Sequence, residues 1–114
     1  MERFLLLMRG DQEKFNTLTD PEKKLIINQH INFSKDLNKE GILVEGDGLS
    51  SESVLLSIKE GELSQKDKPY CGTENQLSGY YIIKAYSFED AMEIAKKCPA
   101  LIHGETVEVV KIGH

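Results

Sequence analysis

The stretch Phe4-Leu5-Leu6-Leu7-Met8 is apolar at every position. Successive side chains of a strand point to opposite faces, so a strand with one wet side alternates apolar and polar residues. This run does not alternate, and Tyr80-Tyr81-Ile82-Ile83 barely does. Both faces of the sheet that holds them therefore need cover. At roughly 25 cal/mol per Å² of apolar area, leaving several such side chains in water forgoes on the order of several kcal/mol, comparable with the net stability of a whole domain.

Working outward, segments rich in β-branched and aromatic residues recur at 3–9, 42–49, 54–59, 79–86 and 105–112, bounded by Gly, Asp, Asn, Ser or Pro. These predict strands. Thr19-Asp20-Pro21-Glu22 predicts a helix start, with Thr19 as cap, Glu22 reaching back to it and Pro21 in the first turn. At about 100° per residue, Phe33, Ile26, Leu37, His30, Ser34, Ile27 and Ile31 share one side of that helix, and Gly41 is placed to stop it. Ser87-Phe88-Glu89-Asp90 opens a second helix that ends at Lys96-Lys97, before Pro99. Its apolar stripe is Phe88, Ala91, Met92, Ile94, Ala95 and Cys98. Strand, helix, two or three strands, helix, strand is the order of an α+β fold of the ferredoxin-like, split βαβ kind, with an antiparallel sheet and two helices on one face. Residues 61–78 read as a long connection.

The chain of 114 residues is sized for a single domain spanning 1–114. Its 14 Lys and Arg against 19 Asp and Glu give a net charge of −5, which repels a phosphate backbone and argues against a nucleic-acid partner. The longest apolar run near the N-terminus, 4–8, is too short for a secretory leader or a membrane span, so a cytoplasmic protein with no membrane partner is expected. Cys71 and Cys98 do not make a disulfide framework, and no Cys/His spacing fits zinc. Neither a metal nor a cofactor is expected.

With both helices on one face, the other face of the sheet is bare. A homodimer that packs sheet on sheet covers it, and two-fold pairing is the commonest assembly. The alternative is that residues 61–78 fold back over that face within one chain.

His30 stands in the middle of the first helix's apolar stripe. Desolvation there favours the neutral imidazole, the form that acts as a general base near neutral pH. The alternative is a core histidine bonded to a backbone carbonyl. Cys98, on the buried stripe with no neighbouring base, reads as a small packed hydrophobe, and Gly46-Asp47-Gly48 as a turn or bulge. Asp67-Lys68-Pro69-Tyr70 offers a carboxylate, a fixed turn and a phenol, with Tyr80 and Tyr81 a short way on. A ligand pocket lined by phenol and carboxylate groups is one outcome; a turn that only positions the loop is the other.

The stretch from Asp67-Lys68-Pro69-Tyr70-Cys71-Gly72-Thr73-Glu74 through Gly79-Tyr80-Tyr81, followed by Ala91, Ala95, Cys98-Pro99, Gly104 and Val107-Glu108-Val109, resembles the YCII-related domain, specifically its Asp-Gly-Pro-Phe (DGPF) branch. In the first half, the helix carrying His30 and Gly41-Ile42-Leu43 leading to Gly46 and Leu49 agree with it. Lys68 stands where the motif has Gly, Tyr70 where it has Phe, and Gly72, Glu74 and Asn75 where the loop usually has Glu, Lys and Glu, while Asp67, Pro69 and Thr73 match. The resemblance implies a ferredoxin-like α+β fold assembled as a dimeric α/β barrel. In a related branch a helix-borne histidine and an Asp after the second helix form a proposed acid–base pair, and some members act on small ring lactones or halogenated aromatics. His30 matches that histidine, and Cys98 falls where the Asp would be. The expectation is a homodimer holding a small organic ligand near His30, with His30 as candidate general base, Asp67 as orienting or polarising group, and Tyr70, Thr73 and Tyr81 as ligand contacts. The alternative is a non-enzymatic interaction or regulatory module, since relatives are sometimes encoded beside, or fused to, transcription regulators.

Overall fold

The computed structural model describes residues 1–67 and 73–113. The two non-alternating runs form the two central strands of a four-stranded antiparallel sheet. These are β1 (Glu2–Gly10) and β5 (Gln76–Ala85), flanked by β2 (Leu43–Gly48) and β6 (Thr106–Lys111) in the order β2-β5-β1-β6. Central strands are covered most completely, which is why these two carry the apolar runs.

Helix α2 (Asp20–Lys39) crosses from β1 to β2, and helix α3 (Phe88–Ala95) from β5 to β6. The sheet is antiparallel because each parallel pair, β1 with β2 and β5 with β6, is split by a strand running the other way. The expected α+β, split βαβ architecture is what the chain adopts. The capping box at Thr19 is complete, with Glu22 N donating to Thr19 Oγ1 (3.3 Å) and Thr19 N to Glu22 Oε1 (3.0 Å). At the other end Gly41 takes a positive φ of 73°, and Gly41 N and Ile42 N donate to Asn38 O and Leu37 O, a C-terminal cap that residues with a Cβ rarely adopt. Ser87 caps α3 by accepting from Asp90 N.

Both helices pack on one side of the sheet. Phe4, Leu6 and Met8 of β1 and Tyr81, Ile83 and Ala85 of β5 meet Phe33 and Leu37 of α2 and Ala91, Ala95 and Cys98 at α3. The register puts Leu5, Ile82 and Val110 together on the opposite side, beside Leu7 and Tyr80. There the Arg9–Glu108 ion pair (2.8 Å) and the Tyr80 hydroxyl, which donates to Glu45, edge the apolar row.

Three expectations need correction. Residues 61–78 are not one long connection. A strand β4 (Glu62–Lys66) pairs with β3 (Leu55–Lys59) as a separate two-stranded sheet, and β5 begins at Gln76, ahead of Gly79. The turn between them, Glu60-Gly61, has positive φ at both residues (52° and 83°), the twist that suits a two-residue hairpin. Helix α1 (Gln12–Asn16), capped by Asp11, was not expected. The apolar stripes are also narrower than drawn: Ile27 and Ile31 on α2 and Phe88 and Met92 on α3 are exposed, because each helix seats only its central ridge on the sheet.

The hairpin carries Val54, Leu56, Ile58 and Leu63, each more than half exposed. The radius of gyration, 15.8 Å, exceeds the roughly 13 Å of a compact domain of this length, as a projecting hairpin requires.

Candidate functional site

His30 reaches its place by helical phase. The cap at Thr19 sets the start of α2, and the turns from Ile26 through His30 to Phe33 and Leu37 follow its sheet-facing ridge. Tyr81 rises from β5 beneath it. The two meet, with His30 Nδ1 2.7 Å from the Tyr81 hydroxyl and the rings stacked at 6.0 Å between centroids, tilted by 20°. Phe33 packs edge-on against the same phenol ring (5.2 Å, 80°). Burial, and next the charge of nearby His103, push the His30 pKa below its ordinary value. Burial pushes the Tyr81 phenol up to about 12, so it keeps its proton.

Gly46 explains how the tyrosine fits. A Cβ there would lie 2.6 Å from Tyr81 Cδ1 and 3.0 Å from Tyr80 O, so the ring occupies the space a side chain would take. The Gly46-Asp47-Gly48 stretch is the end of an edge strand, irregular between Leu43 and Glu45, and not a phosphate loop.

The pair forms part of the wall of an open cleft of about 1510 Å³ between α2, the ends of β2 and β5, and the turn before β6. That turn brings in His103 and Glu105. Gly104, with φ 80°, makes the turn, and Glu105 N is held by Ala100 O. His103 Nε2 contacts Gln29 Oε1, on the residue preceding His30. Glu105 Oε1 accepts from Ser78 Oγ at 3.0 Å, and its carboxyl packs against Gly10, where a Cβ would meet it at 2.3 Å. Burial raises the Glu105 pKa, with Ser78 and His103 pulling the other way.

Of the residues expected from sequence, His30 and Tyr81 come together. Asp67 does not join them: it lies exposed just past the end of β4, next to Gln65, and is not part of the cleft wall. Lys68, Pro69, Tyr70, Cys71 and Gly72 lie outside the described residues. Thr73 opens a 3₁₀ turn whose next residue, Glu74, lines the cleft. Cys98 is buried against Met8, its thiol pushed up to about 11 by burial, as a packed hydrophobe should be. His103, Glu105, Ser78 and Ser34 were not singled out as site residues. The only local signal was the His103-Gly104-Glu105 turn itself, which has no periodicity to read. Among the described residues no three His, Cys, Asp or Glu side chains converge as a metal site, and no helix is long and apolar enough to cross a membrane.

A family model of the YCII-related domain matches residues 3–113. No curated protein matches the sequence.

Proposed function

The chain belongs to the YCII-related domain family, and from that premise we propose that it is a cytoplasmic homodimer that binds a small, neutral or aromatic organic molecule in the cleft beside His30 and is equipped to exchange a proton with it. The observation that carries this reading is the hydrogen-bonded His30–Tyr81 pair set in the wall of a roomy cleft. A histidine held neutral by burial, with one ring nitrogen taken by a phenol, keeps the other for a ligand. Tyr70 and Thr73 are the further contacts we assign, in keeping with the Asp-Gly-Pro-Phe branch.

The dimer draws support from the sheet. Leu5, Leu7, Ile82 and Val110 share the face without helices, with charged and hydroxyl groups around them, the anatomy of an apolar interface core and polar rim. The hairpin pairs only within itself in the sheet topology, so β3 and β4 do not extend that sheet. Light scattering should give twice 12.9 kDa at micromolar concentration.

A thermal-shift screen against small carboxylic acids, lactones and phenols tests the binding. A ligand at a hundred times its Kd stabilises by about 2.7 kcal/mol. His30→Gln should abolish that response while leaving the midpoint without ligand nearly unchanged. A large loss of stability in that variant would make His30 a structural histidine and overturn the reading. One observation favours the second reading, an interaction or regulatory module: the exposed apolar residues of the hairpin. It predicts no response to any ligand in the screen.

A further inference from the structure

The hydrogen bonds around the cleft fix which ring atoms its two histidines have to offer. An amide oxygen only accepts, so with the Gln29 amide assigned its Oε1 toward the ring, His103 Nε2 is the donor and carries the ring's proton. In the neutral ring Nδ1 is then a bare acceptor. At His30 the partner is a hydroxyl, which works both ways, and chemistry decides. A phenol O–H is far more acidic than an imidazole N–H, and an imidazole nitrogen is far more basic than a phenol oxygen. The stronger bond runs from Tyr81 Oη–H to His30 Nδ1. Neutral His30 therefore carries its own proton on Nε2. The two rings have the same tautomer but leave opposite edges free: among the described residues, neither His30 Nε2 nor His103 Nδ1 has a hydrogen-bond partner. Both residues line the one cleft, and Gln29, which holds His103, is the chain neighbour of His30.

We propose that the two histidines divide the work, His30 offering an N–H to a ligand's carbonyl oxygen and His103 offering a bare nitrogen to an acidic hydrogen on the atom beside that carbonyl. The ligand class is a neutral ring compound carrying both groups, such as a cyclic amide or an enolisable cyclic ketone. This rests on the binding function proposed above and changes the part His30 plays in it, from proton acceptor to proton holder. In the step that follows, the C–H or N–H bond of the ligand breaks, its proton forms a bond to His103 Nδ1, and the electron pair moves to the carbonyl oxygen, where the His30 N–H stabilises the charge. The proton then returns to the same molecule, at the same atom or at the other end of the conjugated system. The exchange needs no oxidant, reductant or second substrate. Neutrality of His30 fits the scheme, since its burial disfavours the imidazolium.

The test is long-range proton–nitrogen correlation NMR of the histidine rings in the full-length chain at neutral pH. Both rings should show the Nε2–H tautomer, and Tyr81→Phe should turn His30 alone into a tautomer mixture. An Nδ1–H tautomer at either ring overturns the proposal. Saturating 2-pyridone, with C=O and N–H side by side, should shift His30 Nε2 and His103 Nδ1 together, whereas N-methyl-2-pyridone should shift His30 Nε2 only. If 2-pyridone moves cleft amides but leaves His103 Nδ1 unmoved, the division of work falls and the binding function stands. If the tautomers hold but neither pyridone nor any compound of the thermal-shift panel moves a cleft resonance, both fall.

Discussion

Gly46→Ala adds a single methyl group where the structure has no room for it. The new Cβ would lie 2.6 Å and 3.2 Å from Cδ1 and Cε1 of Tyr81 and 3.0 Å from Tyr80 O. Neither neighbour can give way cheaply. Tyr80 O belongs to the backbone of β5, paired with strands on both sides. The Tyr81 ring is held edge-on by Phe33 and stacked under His30. Overpacking of this kind costs about 1–3 kcal/mol. A domain of this size loses roughly 3–6 °C of midpoint per kcal/mol, so a cost near 2 kcal/mol lowers the midpoint by on the order of 10 °C. Gly48→Ala, two residues along the same strand, is the control. Its Cβ would meet nothing nearer than Ser78 O at 4.0 Å, ordinary contact, and losing a glycine's unfolded-state freedom favours the fold by up to about 1 kcal/mol. Thermal unfolding of the two variants gives the energies, and the His30 ring resonances show whether the displaced phenol has left its 2.7 Å bond. If Gly46→Ala unfolds with Gly48→Ala, and His30 is unperturbed, the Tyr81 ring is not confined as argued and the rigid wall of the cleft is refuted.

Leu7→Glu places a carboxylate on the helix-free face, beside Glu108 in the register, and should convert the proposed dimer to a particle of 12.9 kDa in light scattering, with far-ultraviolet circular dichroism unchanged; a surviving dimer removes that face from the interface. Thr19→Ala removes the acceptor of the capping box and should cost about 1 kcal/mol in urea unfolding, since Glu22 N loses its partner at the start of α2. Glu105 has its pKa raised in the fold, so the folded state holds that proton more tightly; the stabilisation is complete below the ordinary carboxyl pKa of 4.5 and is lost as pH rises through the raised value. Glu105→Gln, which keeps an acceptor for Ser78 Oγ, should therefore be more stable than the parent at neutral pH, with the gap closing below pH 4.5. His30 has the opposite sign: its pKa is depressed from 6.5, so in the parent protein its contribution falls away as pH drops below 6.5, and His30→Gln should flatten that limb of the stability profile.

What could be read from the sequence was whatever the chain states locally. The capping box at Thr19, the glycine stop at Gly41 and the missing alternation at 4–8 are each written within a few residues, and each is where it should be. The phase of α2 was local too, which is why His30 was found on its apolar side. The hairpin was half legible: β3 is rich in leucine and isoleucine, but β4, Glu62–Lys66, holds one apolar residue, and its strand character comes from the turn at Glu60-Gly61 and from pairing with β3. The site showed only in part, for a related reason: His30 and Tyr81 are each legible as candidates, but their pairing and the residues across the cleft are not. His30 and Tyr81 are 51 residues apart, and His103 and Gln29 are 74 apart, so each partnership exists only once the helix lies on the sheet. Asp67, by contrast, looked chemical because its turn motif is local, yet the hairpin carries it away from the cleft wall. A short motif reports the conformation of its own backbone, whereas a ring nitrogen acquires its role from whatever the fold sets against it. That is why the identity of the proton-bearing nitrogen at His30 turns on Tyr81, a residue whose own place was made by removing a side chain at Gly46.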